Sequence, residues 1–262
     1  MYPVLFTAFG QPFTTWPLFA LMGIWAFFFI VRAGLRTHGI PDLRINLYVM
    51  ICTVAFFLGA HLGQVVTVGS SAATEDISFR GLVLYGGVLV SMPVGIFLWW
   101  LFGWNRKFNI RALLDLATPG IIWALFFGRL GCTFYGCCYG TPSGAFPGTL
   151  LNYEHWDFAS QPFPSGLQGV PLHPATLYEA LLLLFLGLAA HRVQHRHHWT
   201  PGLLGWSLLG GYALGRFFLE WIRLDPRGES LLGLSPSQGV SLLLVPVAVF
   251  FVQKHLRAPK CR

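Results

Sequence analysis

Seven apolar stretches, each close to the length needed to cross a hydrocarbon layer, constrain this chain most: about 17–35, 47–68, 82–102, 117–135, 174–191, 202–222 and 236–253. A helix crosses roughly 30 Å of hydrocarbon with about 20 residues, because its backbone donors and acceptors are all satisfied within the segment. Charged residues are 10% of the 262 and hydrophobic residues 55%, whereas soluble domains carry roughly 25% charged residues. The sequence predicts an all-α, polytopic integral membrane protein of about seven spans, a single domain over 1–262 with no soluble module. The first 16 residues lack a basic n-region, so no cleavable signal peptide is expected.

The net charge of +7 is a matter of placement. Arg32, Arg36 and Arg44 follow the first predicted span, and Arg106, Lys107 and Arg111 the third. Arg192 and Arg196 follow the fifth, and Lys254, Arg257, Lys260 and Arg262 the seventh. Those twelve of the 17 basic residues fall on one side. The positive-inside rule then predicts an outer N-terminus and a cytoplasmic C-terminus, as an odd number of spans requires. The basic clusters are orientation signals, so nucleic acid is excluded as a partner. The longest break, about 136–173, is rich in Gly and Pro and falls on the outer side. Its aromatics Tyr153, Trp156, Phe158 and Phe163 suit the membrane interface.

Polar groups gather near the outer ends of the predicted spans. His61 and Gln64 share a helix face, Tyr85-Gly86-Gly87 opens the third span, and His173 stands before Tyr178 and Glu179. Arg216, Glu220 and Arg223 run at i, i+4 and i+7, down one helical face. In Gly128-Arg129-Leu130-Gly131-Cys132-Thr133-Phe134-Tyr135-Gly136-Cys137-Cys138-Tyr139-Gly140, an arginine and three cysteines end an apolar helix among four glycines. An ionisable residue at membrane depth marks a functional site by default, and glycines permit sharp turns and close backbone approach. For the cysteines three readings stand: a nucleophilic thiol activated by Arg129, a soft-metal site with His61 or His173, or a disulfide or simple buried packing. The spacing matches no strong metal motif, so no metal ligand is assigned and no cofactor is expected. His191, His195, His197 and His198 read as a solvated basic loop.

The segment from Gly128 to Gly140 resembles the most recognisable motif of the bacterial prolipoprotein diacylglyceryl transferases, a Gly-Arg-x-Gly-Asn run leading to Asn-Gly-Glu and a further Gly. His173-Pro174-Ala175-Thr176-Leu177-Tyr178-Glu179 resembles that family's His-Pro-x-Gln-Leu-Tyr-Glu. Gly215-Arg216-Phe217-Phe218-Leu219-Glu220-Trp221-Ile222-Arg223 is similar to its Arg-Phe-x-x-Glu-x-x-Arg helix, and Leu234-Ser235-Pro236-Ser237-Gln238 to the start of its last span. The departures fall at the chemistry. Tyr85 stands for a histidine before Gly-Gly, Cys132 for an asparagine, Tyr135-Gly136-Cys137 for Asn-Gly-Glu, Pro17 for a tyrosine and His61 for an arginine.

The resemblance implies transfer of a diacylglyceryl group from phosphatidylglycerol, or a similar anionic phospholipid, to the lipobox cysteine thiol of prolipoproteins. It implies a multi-pass protein of the bacterial inner membrane with its site toward the outer face. The residues it marks for chemistry are Arg129, Arg216, Glu220, Tyr85, Cys132, Cys137 and His61. Those it marks for substrate binding are Gly86, Gly87, Gly131, Gly136, Gly140, His173, Tyr178 and Arg223. Arginine suits the phosphodiester because its planar fork binds phosphate oxygens bidentately and stays charged. Glu220 is expected to orient Arg216 or to serve as base, with His61 and His173 the other candidate bases. Two alternatives stay open: a paralogue moving a lipid or acyl group to another acceptor through Cys132 or Cys137, and a non-catalytic lipid- or metal-binding membrane protein.

Overall fold

A computed structural model of the chain describes residues 4–8, 11–68, 84–144, 167, 169–194, 200–224 and 234–257. Among these, seven helices follow a short hairpin. Strands β1 (Val4–Ala8) and β2 (Gln11–Thr14) pair antiparallel, with Phe6 opposite Phe13 and the two rings stacked at 4.9 Å. Then come α1 (Thr15–Thr37), α2 (Asp42–Val68), α3 (Leu84–Leu101), α4 (Ile110–Tyr135), α5 (Ala175–Gln194), α6 (Leu203–Leu219) and α7 (Pro236–Arg257). Each predicted apolar stretch became one helix. Five of them are long and apolar enough to cross a membrane. The other two are shorter, α3 with 18 residues and α6 with 17. The helix of α6 gives way to a 3-10 turn over Glu220–Ile222, so the predicted span to 222 ends in tighter backbone. The aromatics expected at the membrane interface, Tyr153, Trp156, Phe158 and Phe163, lie outside the described residues, as do His195, His197 and His198.

The surface is inverted relative to a soluble protein. Trp25, Phe185, Leu243 and Phe250 are 58 to 74% exposed, while Glu179 and Arg216 are buried. Large apolar side chains pointing outward are solvated by lipid, and charges are tolerated only where they pair inside the bundle.

The chain divides into two compact units, Phe28–Leu113 and the remainder. In Phe28–Leu113, α2 and α3 approach through glycines. A Cβ on Gly59 or on Gly86 would strike the other's carbonyl oxygen, and one on Gly87 would lie 2.6 Å from the Phe56 ring. Small residues let membrane helices approach until their backbones touch, which supplies the packing that hydrophobicity cannot drive in lipid. At the other end of this unit Trp104, 1% exposed, packs against Tyr48 and Phe108. There Arg32 and Arg36 both bond Asp42, at 2.9 and 2.5 Å.

In the other unit α4, α5 and α6 enclose a core of Ile122, Leu183, Leu204 and Leu208. Gly187 admits the Trp123 ring and Gly215 the Leu182 side chain. Two caps fix where its helices begin. The Asp115 carboxylate on α4 accepts the backbone N–H groups of Gly202 and Gly205 at 2.6 and 2.7 Å, satisfying orphan donors at the positive end of α6. At α7, the Ser235 hydroxyl accepts the Gln238 N–H at 3.2 Å while the Gln238 side chain accepts the Ser235 N–H at 3.0 Å. That is a reciprocal capping box with Pro236 at the first helical position.

Candidate active site

At one end of this second unit the C-terminal turn of α4, the first turns of α5, the last turn of α6 and the start of α7 converge. Each delivers polar side chains, and Glu179 is the hub. It is wholly buried. Its Oε2 receives Arg129 Nε at 3.0 Å and an Arg223 terminal nitrogen at 3.2 Å. Its Oε1 receives the Tyr212 hydroxyl at 2.7 Å, with Arg216 Nε at 3.8 Å. Arg216 is held from two further sides, by Glu220 at 2.5 Å and by the Ser237 hydroxyl at 3.2 Å. The Thr133 hydroxyl, one turn beyond Arg129, donates to that of Thr176 at 3.0 Å and ties α4 to α5.

A buried carboxylate ringed by arginines persists only because the geometry compensates the loss of water. Three guanidinium groups meet two carboxylates, Glu179 and Glu220, so these five side chains carry an excess of one positive charge. Among the three arginine side chains Arg129 is the most open, at 14% against 5% for Arg216 and 2% for Arg223. It meets Glu179 through Nε, leaving its two terminal amino groups, the pair that grips a phosphate, outside that contact.

The backbone around the cluster is a small ladder. The segment after α4 runs between the start of α5 and the end of α6. Gly140 N–H donates to His173 O at 3.0 Å, Thr141 N–H to Ile222 O at 2.8 Å and His173 N–H to Thr141 O at 2.9 Å. A Cβ at Gly140 would sit 2.6 Å from His173 O and 2.8 Å from Ile222 O, so only glycine fits. His173 Nδ1 lies 3.1 Å from the hydroxyl of Tyr178, the residue just before Glu179.

At the end of α4, Gly136 adopts φ 82°, and the N–H groups of Gly136 and Cys137 both donate to Cys132 O, at 2.8 and 3.1 Å. This is the glycine-terminated helix end in which a left-handed residue satisfies the last carbonyls. Cys138 follows at φ 61°, which turns the chain back. The sulfurs of Cys132, Cys137 and Cys138 consequently all lie within 4.8 Å of one another, and all three are present as thiols. Hydrogen bonds from the other two thiols, and the positive charges of Arg223 and Arg129, hold the Cys138 thiol well below its ordinary range.

The expected residues divide. Arg129, Arg216, Glu220, Arg223, His173, Tyr178, Cys132, Cys137, Gly131, Gly136 and Gly140 lie in the unit that holds the cluster. Glu220 is committed to an ion pair with Arg216. Arg223, expected one helical turn past Glu220, instead sits in extended backbone at φ −89°, ψ 142°, and reaches Glu179 from there. Gly131 and Gly136 have local duties, Gly131 against Phe19 and Trp16 of α1 and Gly136 at the helix end. His61, Tyr85, Gly86 and Gly87 belong to the Phe28–Leu113 unit. Gly86 and Gly87, expected at a substrate pocket, are positions of α2–α3 contact; Tyr85 is the second residue of α3 and its side chain lies outside the described residues. Sequence reasoning did not select Glu179 and Tyr212. Both were within reach: Tyr212 precedes Arg216 by four residues on the same α6 face, and Glu179 ends the His-Pro-x-x-Leu-Tyr-Glu run.

Comparison with known proteins adds the chemistry. Residues 3–253 match the family model described as prolipoprotein diacylglyceryl transferase. A phosphatidylglycerol–prolipoprotein diacylglyceryl transferase of Clostridium tetani is 27% identical over 95% of this chain and 96% of its own length. One of Geobacter sulfurreducens is 27% identical over 94% and 90%. A second Clostridium protein, transferase 2 of Clostridium perfringens, is 29% identical over 75% and 73%.

Proposed function

Because the chain belongs to the prolipoprotein diacylglyceryl transferase family, we propose that it transfers a diacylglyceryl group from phosphatidylglycerol to the lipobox cysteine of a prolipoprotein. The observation that carries this reading is the Glu179-centred cluster. Its excess of one positive charge matches the single negative charge of a phosphodiester, and Arg129 is the arginine most open to receive it. The names of the relatives favour this activity over transfer to another acceptor or binding without turnover.

In the proposed reaction the acceptor thiolate attacks the glyceryl carbon that carries the phosphate oxygen. A carbon–sulfur bond forms, the carbon–oxygen bond breaks, and glycerol phosphate leaves with the electron pair. The terminal amines of Arg129 meet the phosphate oxygens as charge builds on the leaving group, where fixed donors in a water-poor site act most strongly. Arg216 and Arg223 hold Glu179, and Glu220 holds Arg216, so the charge field is set before substrate arrives. A thiol of pKa about 8.5 needs help to ionise at neutral pH. His173, steadied by Tyr178, takes that proton. The site faces the outer leaflet of the bacterial inner membrane, with the N-terminus outside and the C-terminus in the cytoplasm.

Complementation tests this. In a bacterium depleted of its own transferase, the chain is expected to restore growth and to add the mass of a diacylglyceryl group to a model prolipoprotein. Arg129→Ala, expressed and inserted at the wild-type level, is expected to lose the modification. Transfer that survives Arg129→Ala would overturn the phosphate-binding role, and no modification by the wild-type chain would overturn the reaction.

A further inference from the structure

The proposed transfer uses none of the three thiols at the end of α4. Cys132 is buried, Cys137 and Cys138 are half-buried, and their sulfurs converge within 4.8 Å because Gly136 and Cys138 both take positive φ. A positive φ is uncommon for a residue with a side chain, and here it folds the Cys138 thiol back toward Cys132. Simple packing needs no such convergence, since any small side chain would fill the space.

We propose that Cys132, Cys137 and Cys138 form a binding site for one soft, thiophilic metal ion, and that its occupant is Cu(I). Thiolate ligands select Cu(I) and Zn(II) among the biological metals. Zinc takes four ligands in its structural sites, and among the described residues the group contains only these three donors. Three thiolates in a plane satisfy Cu(I). A metal about 2.3 Å from each sulfur would set the sulfurs about 3.8–4.0 Å apart, so closing on the ion needs a contraction of about 1 Å from the limit observed. Any proton still carried by a thiol is released to solvent on binding. The resulting complex is anionic, and Arg129 and Arg223, whose charges act on Cys138, offset it. The proposal shares Arg129 with the transfer reading but is measured without any lipid or prolipoprotein.

The full-length protein, purified in detergent and reduced without oxygen, would be titrated into Cu(I) held by the coloured chelator bicinchoninate. The expected result is bleaching of the chelate until one Cu(I) is bound per chain, with a new near-ultraviolet thiolate-to-copper absorption. The double variant Cys137→Ser/Cys138→Ser is expected to bind at least about tenfold more weakly, a difference of about 1.4 kcal/mol. Copper remaining on the chelator overturns the proposal. So does equal binding by the double variant, which would assign the copper to Cys52 or Cys261. A second measurement does not depend on the variant folding: Cu(I) loading of the wild-type protein is expected to block maleimide labelling of the peptides carrying Cys137 and Cys138. Unchanged labelling of those peptides would equally overturn it.

Discussion

Glu179 carries more of the candidate site than any arginine does, because three cations depend on one carboxylate. Replacing it by glutamine keeps the shape and removes the charge, which leaves the arginines to repel one another in a water-poor setting. Breaking a buried ion pair from one side costs about 3–5 kcal/mol. Glu179→Gln is therefore expected to lower thermal stability in detergent by that order and to abolish lipid transfer. Glu179→Asp, shorter but charged, should recover most of the stability and little of the transfer. Glu179→Gln with wild-type unfolding would show that the cluster is held by packing instead. Tyr212→Phe removes one hydrogen bond from the same carboxylate, worth about 1–3 kcal/mol with its acceptor left buried. Its unfolding midpoint should fall between the wild type and Glu179→Gln.

At the scale of elements, the residues that shape the site are those that end helices. Gly136 terminates α4, the Ser235–Gln238 box starts α7, and the segment through Gly140 is pinned between His173 and Ile222. Gly140→Ala puts a methyl 2.6 Å from one backbone oxygen and 2.8 Å from another, and neither oxygen can swing aside. The expected outcome is a sharp loss of transfer with helix content unchanged by circular dichroism, and full activity would show that the ladder moves freely. This part of the site was the least legible in the sequence. Arg129, Arg216, Glu220 and Arg223 were visible as charges where charge is disfavoured, and the i, i+4 spacing correctly paired Arg216 with Glu220. Glu179 was visible too, but an acid one or two turns into a helix does not announce that it binds three arginines from other segments. Those partners are fixed by which helix ends meet, and residue spacing along one helix carries no information about that. Gly86 and Gly87 are ambiguous for the opposite reason. A glycine pair permits close approach to a ligand or to another helix, and here the neighbour was α2.

For the whole molecule the helices were legible because hydropathy in a membrane chain answers to the solvent. Every apolar run became a helix, and the outward Trp25, Phe185 and Phe250 are what lipid demands. The orientation rests on the distribution of twelve basic residues, since each charge on the wrong side must be carried across the membrane during insertion. A reporter that functions only in the cytoplasm, fused after Arg262, should therefore be active, and the same reporter fused before Met1 inactive. The sharper test removes the cause. Exchanging Lys254, Arg257, Lys260 and Arg262 for neutral residues leaves eight basic residues on the proposed inner loops, so the reporter after position 262 should stay active. Moving basic residues instead to the segment before α1 should set the first helix against the rest and deplete active, correctly inserted protein. A reporter active before Met1 in the wild-type chain would turn the molecule over and place the Glu179 cluster toward the cytoplasm, away from an acceptor presented at the outer leaflet.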